Sequence, residues 1–375
     1  MRFGWFGRKG EVRPPLGRLP VAFVTGWAAG EAPKGYEALT REGYLRNPVG
    51  QRAVRLVAEG AGSAALFCRP EGHPAETLLR RPNPAASGAG LIEAVASHLL
   101  LHGNAYLEVV TGAAGEPAEL HVLRPERVAV EADARGWPAG YRYRAGDASV
   151  RLAAESVLHL KGFHPLDDHY GLGCLGAAAG AIEAHNAAAK WNKALLDNAA
   201  RPSGALIFET GDGEALAPDQ FANLKRELEA CYQGAANAGR PLVLEGGLKW
   251  QPLSLTPAEM DFVEARGAAA REIALAFGVP PMLLGLPGDN TYANYSEANR
   301  ALWRLTIAPL LGKICAGLTG LLQRWWPEVA VDVDWDAVPA LSADRERLWA
   351  QVSAAEFLSD DEKRAMLGFE ARGGA

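Results

Sequence analysis

Apolar positions along this chain change period several times, and each change marks an element. From Pro48 onward, AVRLVAEG has helical spacing, SAALFCR reads as a strand, and RRPNPAASGAG is a Pro/Gly/Ser loop leading into the helix LIEAVASHLLLHG. GNAYLEVV, ELHVLRP, RVAVEAD, GYRYR and SVLHLKGF then read as short strands separated by turns. Beyond the loop HPLDDHYGLG, an alanine-rich helix is predicted from Cys174 to Ala200, ending where Arg201, Pro202, Ser203 and Gly204 forbid continuation. The fold class implied is α+β.

A compact unit follows, with strand GALIFE, helix APDQFANLKRELEACYQG and a hairpin PLVLEGGLKWQPL turning at Glu245, Gly246 and Gly247. Thr256, Pro257 and Glu259 supply a capping box for the next helix. Its apolar face is Met260, Val263, Gly267, Ala270, Ala274 and Phe277, a 3-4-3-4-3 spacing with small residues at the middle. Small residues permit close approach of another helix, either within the chain or across a subunit seam. Pro280 and Pro281 are expected to end this helix. Asn294 with Glu297 then starts a long apolar helix running to Trp325 and Trp326, kinked at Pro309. VAVDVDWDAV and the segment from Ser342 to Glu370 read as one strand and two short helices.

Residues 1–45 are rich in Gly, Pro and charge without steady periodicity, which predicts an arm ordered only against a partner. The rest of the 375 residues, about half of them hydrophobic overall, can bury a substantial core in two or three domains. The N-terminus lacks an apolar targeting core, and no segment is read as a membrane span, so no membrane partner is expected. Cys68, Cys174, Cys231 and Cys315 are far apart without CxxC spacing, the pattern of reduced structural thiols. A formal net charge of −6 disfavours a protein that grips DNA phosphates tightly.

Chemistry-bearing motifs are few. Gly171, Gly173 and Gly176 form a GxGxxG before a helix, with Glu209 as a candidate ribose acid, so a dinucleotide-binding oxidoreductase using GLGCLG is the alternative function. Its context disagrees: His164 to Tyr170 separate the strand from the first glycine, and the following helix is too long for a tight crossover. His98 and His102 have a metal-capable spacing but flank Leu-Leu-Leu, which favours a buried helix face. His164, Asp167, Asp168 and His169 could hold a cation but fit a solvated loop better. No GxSxG, phosphate-binding loop or Cys/His arrangement is present, so no catalytic residue, metal or cofactor is expected.

The ordered set RRPNP, HGNAYLEVV, VLHLKG, YGLGCLGAA, NAARPSGALIF, LVLEGGLKWQPLS, AREIALAFGVPPMLLG and NTYANYSEANRALWRLTIAPLL resembles the portal proteins of long-tailed bacteriophages, over roughly residues 40–370. The resemblance implies a portal-type fold and a ring, twelve subunits in the virion, at one capsid vertex. Double-stranded DNA passes through such a ring during packaging and ejection, and energy comes from a partner ATPase. Carried over by position, residues 1–45 would be an N-terminal arm, 46–170 the first part of the wing, and 171–200 and 256–279 the two stem helices. Residues 201–255 would be the clip, facing terminase and the head-to-tail adaptor. Residues 280–294 would be the tunnel loop, 295–340 the return to the wing, and 341–375 a short crown. The major capsid protein is a further implied partner, and the implied location is the virion, after assembly in the bacterial host cytoplasm. The residues expected to meet DNA are Asn290, Thr291, Tyr292 and Asn294, through neutral hydrogen bonds that re-form as the duplex advances. Met260, Val263, Gly267, Ala270, Ala274 and Phe277 are expected to form the inter-subunit seam of the stem.

Overall fold

The computed structural model describes residues 34–197, 204–208, 219, 222, 223, 226, 248–252, 262–286 and 292–368. Two compact units emerge, one made of residues 1–178 with 274–375 and the other of residues 179–273.

The larger unit begins with helix α1 (Lys34–Thr40) and a π-helical turn over Arg41–Leu45, so the last twelve residues of the expected arm are helical. Asn47 caps α2 (Pro48–Ser63), its side chain accepting from the Gly50 N–H at 2.9 Å, and Pro48 fills the first helical position, where its missing N–H is harmless. Small residues at Ala53, Ala58 and Ala61, with Val54 and Val57, give α2 a flat buried face against α4 (Gly88–His102). Between them lie strand β1 (Leu66–Arg69) and a short helix α3 (Pro74–Arg80), which the Pro/Gly-rich text around it concealed. Ser87 caps α4, and Gly103, with φ of 82°, ends it.

Strands β2 (Asn104–Thr111), β3 (Pro117–Leu123) and β7 (Val157–Lys161) form an antiparallel sheet in the order β3-β2-β7. A second antiparallel sheet contains β4 (Val128–Ala132), β5 (Pro138–Ala145) and β6 (Ala148–Ala153) in that order. Its last strand was not legible in the sequence, because ASVRLA buries little besides Leu152. Alternation in β5 turns Tyr141 and Tyr143 inward and leaves Arg142 and Arg144 exposed. The inward tyrosines join Tyr106, Leu123, Leu152 and Val157 in one core cluster drawn from both sheets.

Helix α7 (Tyr292–Leu302), a π-helical turn over Trp303–Ile307 and α8 (Ala308–Leu322) make one continuous helical run. It starts at Tyr292, so Asn294 lies inside the first turn rather than capping it. The π turn explains how the run tolerates Pro309. Proline offers no N–H and crowds the carbonyl four residues back, and here the Ala308 N–H reaches five residues back to Trp303. Residues Ala293–Leu322 are long and apolar enough to cross a membrane by length and composition, which corrects the reading that no segment approaches that limit. The apolar face is nevertheless used inside the unit: Leu311, Ile314, Leu318, Leu321 and Leu322 are buried, and α8 packs on β7 and on β10 (Ala330–Val333), which pairs antiparallel with β1. Cys68 and Cys315 are buried free thiols, pushed up to about 11 and about 12 by desolvation. The unit closes with α9 (Ser342–Ala354) and α10 (Asp360–Met366), the latter opened by a Ser359/Glu362 capping box.

The smaller unit holds most of α5 (Cys174–Asp197), a β8 (Gly204–Phe208) and β9 (Leu248–Pro252) antiparallel pair, and most of α6 (Phe262–Ala276). Leu206 faces Trp250 across the pair. Buried His185 on α5 accepts from Arg266 Nε on α6 at 3.3 Å, and burial lowers its pKa. The expected capping box at residues 256–259, the hairpin turn at 245–247 and most of the helix at 217–234 lie outside the described residues.

Candidate functional site

Three local constructions bear on function: the elbow after α6, the glycine junction before α5, and a broad groove beside α1.

The elbow starts earlier than the sequence suggested. Gly278, left-handed at φ of 65°, ends α6, with its N–H on Leu275 and the Val279 N–H on the Ala274 carbonyl. Pro280 and Pro281 follow the stop, and Pro281–Leu284 forms a 3-10 turn with Leu283 buried. Thr306 Oγ1, from the π turn, donates to the Gly278 carbonyl at 2.7 Å, tying the elbow to the long helix. A Cβ on residue 278 would stand 2.8 Å from that hydroxyl, so glycine is needed for both conformation and space. The foot of the expected tunnel loop is therefore firmly seated. Asn290 and Thr291 lie outside the described residues, Tyr292 opens α7, and Asn294 is exposed on its first turn.

The expected seam divides in two. Ala270, Ala274 and Phe277 are buried within the chain, which leaves them no surface for a neighbour. Val263 is 82% exposed and Gly267 is partly exposed, whereas Met260 lies outside the described residues. The periodicity was sound, but small residues serve close packing inside a chain as readily as between chains.

The glycine junction explains GLGCLG. A Cβ on residue 171 would lie 2.1 Å from the Gly103 carbonyl oxygen and 2.5 Å from the Gly162 nitrogen. One on residue 173 would lie 2.6 Å from the Leu101 carbonyl oxygen, whereas at Gly176 nothing lies within 4 Å. The first two glycines thus let the backbone press against the end of α4 and the exit of β7, a packing need that accounts for them without a nucleotide. Asn104 is the hub. Its Oδ1 accepts from the Gly171 N–H at 2.7 Å and meets His159 Nε2 at 3.0 Å, while its Nδ2 donates to the Gly171 carbonyl at 3.1 Å. Tyr170 is fixed next door, accepting from the Val130 N–H at 3.0 Å. His159 stacks on Tyr106, ring centroids 4.2 Å apart, and burial lowers its pKa to about 4.

The groove, about 970 Å³, runs between α1 with its π turn, the end of α4, and the outward face of β4 and β5. His98 and His102 lie on its floor. Burial lowers both, His98 to about 4, and both remain neutral imidazoles at pH 7. Among the described residues His98 Nδ1 has no hydrogen-bond partner, so the imidazoles are less fully satisfied than expected. His102 meets Asn104 Nδ2 through Nδ1 and packs edge-on against Tyr36, centroids 4.5 Å apart. Arg41, Arg124, Arg127, Arg142 and Arg144 line the groove against Glu37 and Glu126. Sequence reading missed this site because the arginines come from three separate stretches; the alternation in YRYR was the available clue. His164 is another lining residue, yet among the described residues no cluster of His, Cys, Asp and Glu could hold a metal.

Comparison with known proteins gives a consistent result. Residues 48–368 match the model of the family described as "Phage portal protein". A chain in the neck of a native gene transfer agent particle, computed with C12 symmetry, shares 50% identity with a TM-score of 0.71, over 94% of this chain and 98% of that one. A Rickettsia bellii protein is 41% identical over 87% of this chain and 88% of its own length. The probable portal protein of Streptomyces phage phiC31 is 29% identical over 72% of this chain and 62% of its own length.

Proposed function

Because the chain belongs to the phage portal protein family, we propose that it builds the portal ring of a phage-like particle, twelve copies around an axis through which double-stranded DNA is packaged and later ejected. The observation that carries this reading is the 50% identical subunit fold, matched over nearly the whole of both chains, in a gene transfer agent neck with C12 symmetry. A heterologous contact repeated by rotation closes into a ring when its rotation divides the full turn, as twelvefold symmetry does. The ring stands at one capsid vertex, and subunits assemble there from the host cytoplasm. Residues 201–255 form the clip that meets terminase and the adaptor, with the β8 and β9 pair as its scaffold. Contacts to the major capsid protein fall on the wing.

The ring is a conduit rather than an enzyme, and a net charge of −6 suits passage, since each phosphate held by a cation would resist sliding. The seated elbow at Gly278 supports residues 280–294 as the tunnel loop, with Asn290, Thr291, Tyr292 and Asn294 offering neutral contacts to the duplex. Val263 and Gly267 are the part of the stem face left for a neighbouring copy.

Negative-stain imaging of the purified protein tests the ring: end-on views with a central hole are expected, and monomers at every concentration and salt would overturn it. Replacing residues 288–293 by two glycines tests the loop. Intact rings that package poorly or leak DNA are expected, whereas normal packaging refutes a channel role.

A further inference from the structure

The groove beside α1 belongs to neither the channel loop nor the stem. It is strongly one-signed, with five arginines against two glutamates, and its floor histidines carry no charge at neutral pH. Much of that positive charge is already committed within the chain. Arg41 pairs with Glu37 at 2.8 Å, Arg124 pairs with Glu126, and Arg142 pairs with Glu131. Arg127 and Arg144 have no acidic partner among the described residues, and they stand with Leu45, 65% exposed, on the same groove. A complementary ligand must therefore bring at least two negative charges and an apolar side chain.

Such a segment exists in this chain, at the turn from α9 to α10. Phe357 is 87% exposed there, flanked by exposed Glu356 and Asp360, with Asp361 and Glu362 following. The Ser359/Glu362 capping box, with the Ser359 N–H on Glu362 Oε2 at 2.8 Å, fixes this turn and employs Glu362 locally. Glu356 and Asp360 remain turned to solvent around the phenylalanine. Residues 1–33 are a poor alternative occupant, since they carry five Lys or Arg against two Glu and share the groove's sign.

We propose that the groove of one subunit receives the Glu356–Asp360 turn of the adjacent subunit, Phe357 lying on Leu45 and the aromatic wall while the two carboxylates meet Arg127 and Arg144. The contact is heterologous, each copy giving one turn and accepting one, the arrangement a closed ring requires. This rests on the ring reading above. Charge placed at such a contact selects partner and register more than it adds affinity.

The test reverses charge on each side of the full-length protein: Arg127→Glu with Arg144→Glu in one variant, Glu356→Arg with Asp360→Arg in the other. Each alone is expected to fold, by circular dichroism, and to lose rings at least tenfold by light scattering and negative stain. Mixed at equal amounts, the two are expected to recover rings of alternating copies, because an even ring lets every reversed groove face a reversed turn. A single chain bearing all four substitutions is expected to close by itself. Should a reversed groove misfold, Arg127→Ala with Arg144→Ala replaces it and is expected to weaken rings without mixing rescue. Wild-type yields from either reversal, or two defects that mixing and the fourfold chain both fail to repair, would overturn the contact while wild-type rings keep the portal reading intact. Rings unaffected but particles depleted of portal would assign the groove to an acidic capsid partner instead.

Discussion

Helices α5 and α8 are both long and apolar in composition, yet they are stabilised differently. Along α8 the rows at Leu311, Ile314, Leu318, Leu321 and Leu322 sink into one core. Along α5 the buried positions are mainly small, Ala178, Ala181 and Ala188, with Ile182 and His185 between them, while Glu183, Ala184 and Ala187 stay exposed. A helix like α8 is held by the hydrophobic surface it removes from water. One like α5 buries less apolar surface and leans more on alanine's intrinsic propensity.

Substitutions can break or sharpen that contrast. The largest effect is expected at the entrance of α5: Gly171→Val drives a side chain into the Gly103 backbone, so soluble yield and melting temperature should collapse, whereas Gly176→Ala should be neutral. That ordering opposes what a dinucleotide loop would give, where neither change need affect folding. Next, Leu318→Ala, at a fully buried position, should cost about 2–5 kcal/mol in denaturant unfolding, and Ala187→Ser on the exposed side of α5 should cost under about 0.5 kcal/mol while leaving rings as its only sensitive readout.

A smaller effect is expected from pH. His98 and His159 are held neutral, with folded values near 4 against about 6.5 when unfolded, so the unfolded chain binds more protons between those values. Stability is complete above about pH 6.5 and falls as pH drops toward 4, by on the order of a few kcal/mol. His98→Gln and His159→Gln should each flatten the denaturant midpoint plotted against pH in that window. The smallest change is Thr306→Val, which removes one hydrogen bond to the Gly278 carbonyl and should cost about 1 kcal/mol, read as a lowered melting temperature.

Much of the fold was legible because apolar period and turn chemistry agreed. The α4 helix, β2, β7, strands β8 and β9 and the two C-terminal helices all stand where the text placed them, whereas the pairing of β9 with β8 was not anticipated, the hairpin reading having set β9 against PLVLE. Misses came where local chemistry was silent. Nothing in KGYEALTREGYL distinguishes a helix seated on His102 from a tail, and β6 is a strand because β5 lies beside it. Membership of the portal family was legible from ordered motifs and holds over residues 48–368. The seam was not, since burial of Ala270, Ala274 and Phe277 depends on elements far away in sequence. The groove was hidden for the same reason.

The π turn at Trp303–Ile307 sets the phase of everything after it. One extra residue in a helical turn rotates the downstream face by about 100° relative to the upstream one. Leu302 is buried ahead of the turn, Trp303 and Ile307 at its two ends and Leu311 after it, while Leu305, in its middle, points outward at 77% exposure. Deleting a single residue there would keep composition, length and hydropathy nearly unchanged. It would also turn Leu311, Ile314 and Leu318 away from β7 and β10, so the long helix behaves as a key whose bit must be cut at one angle to enter its lock.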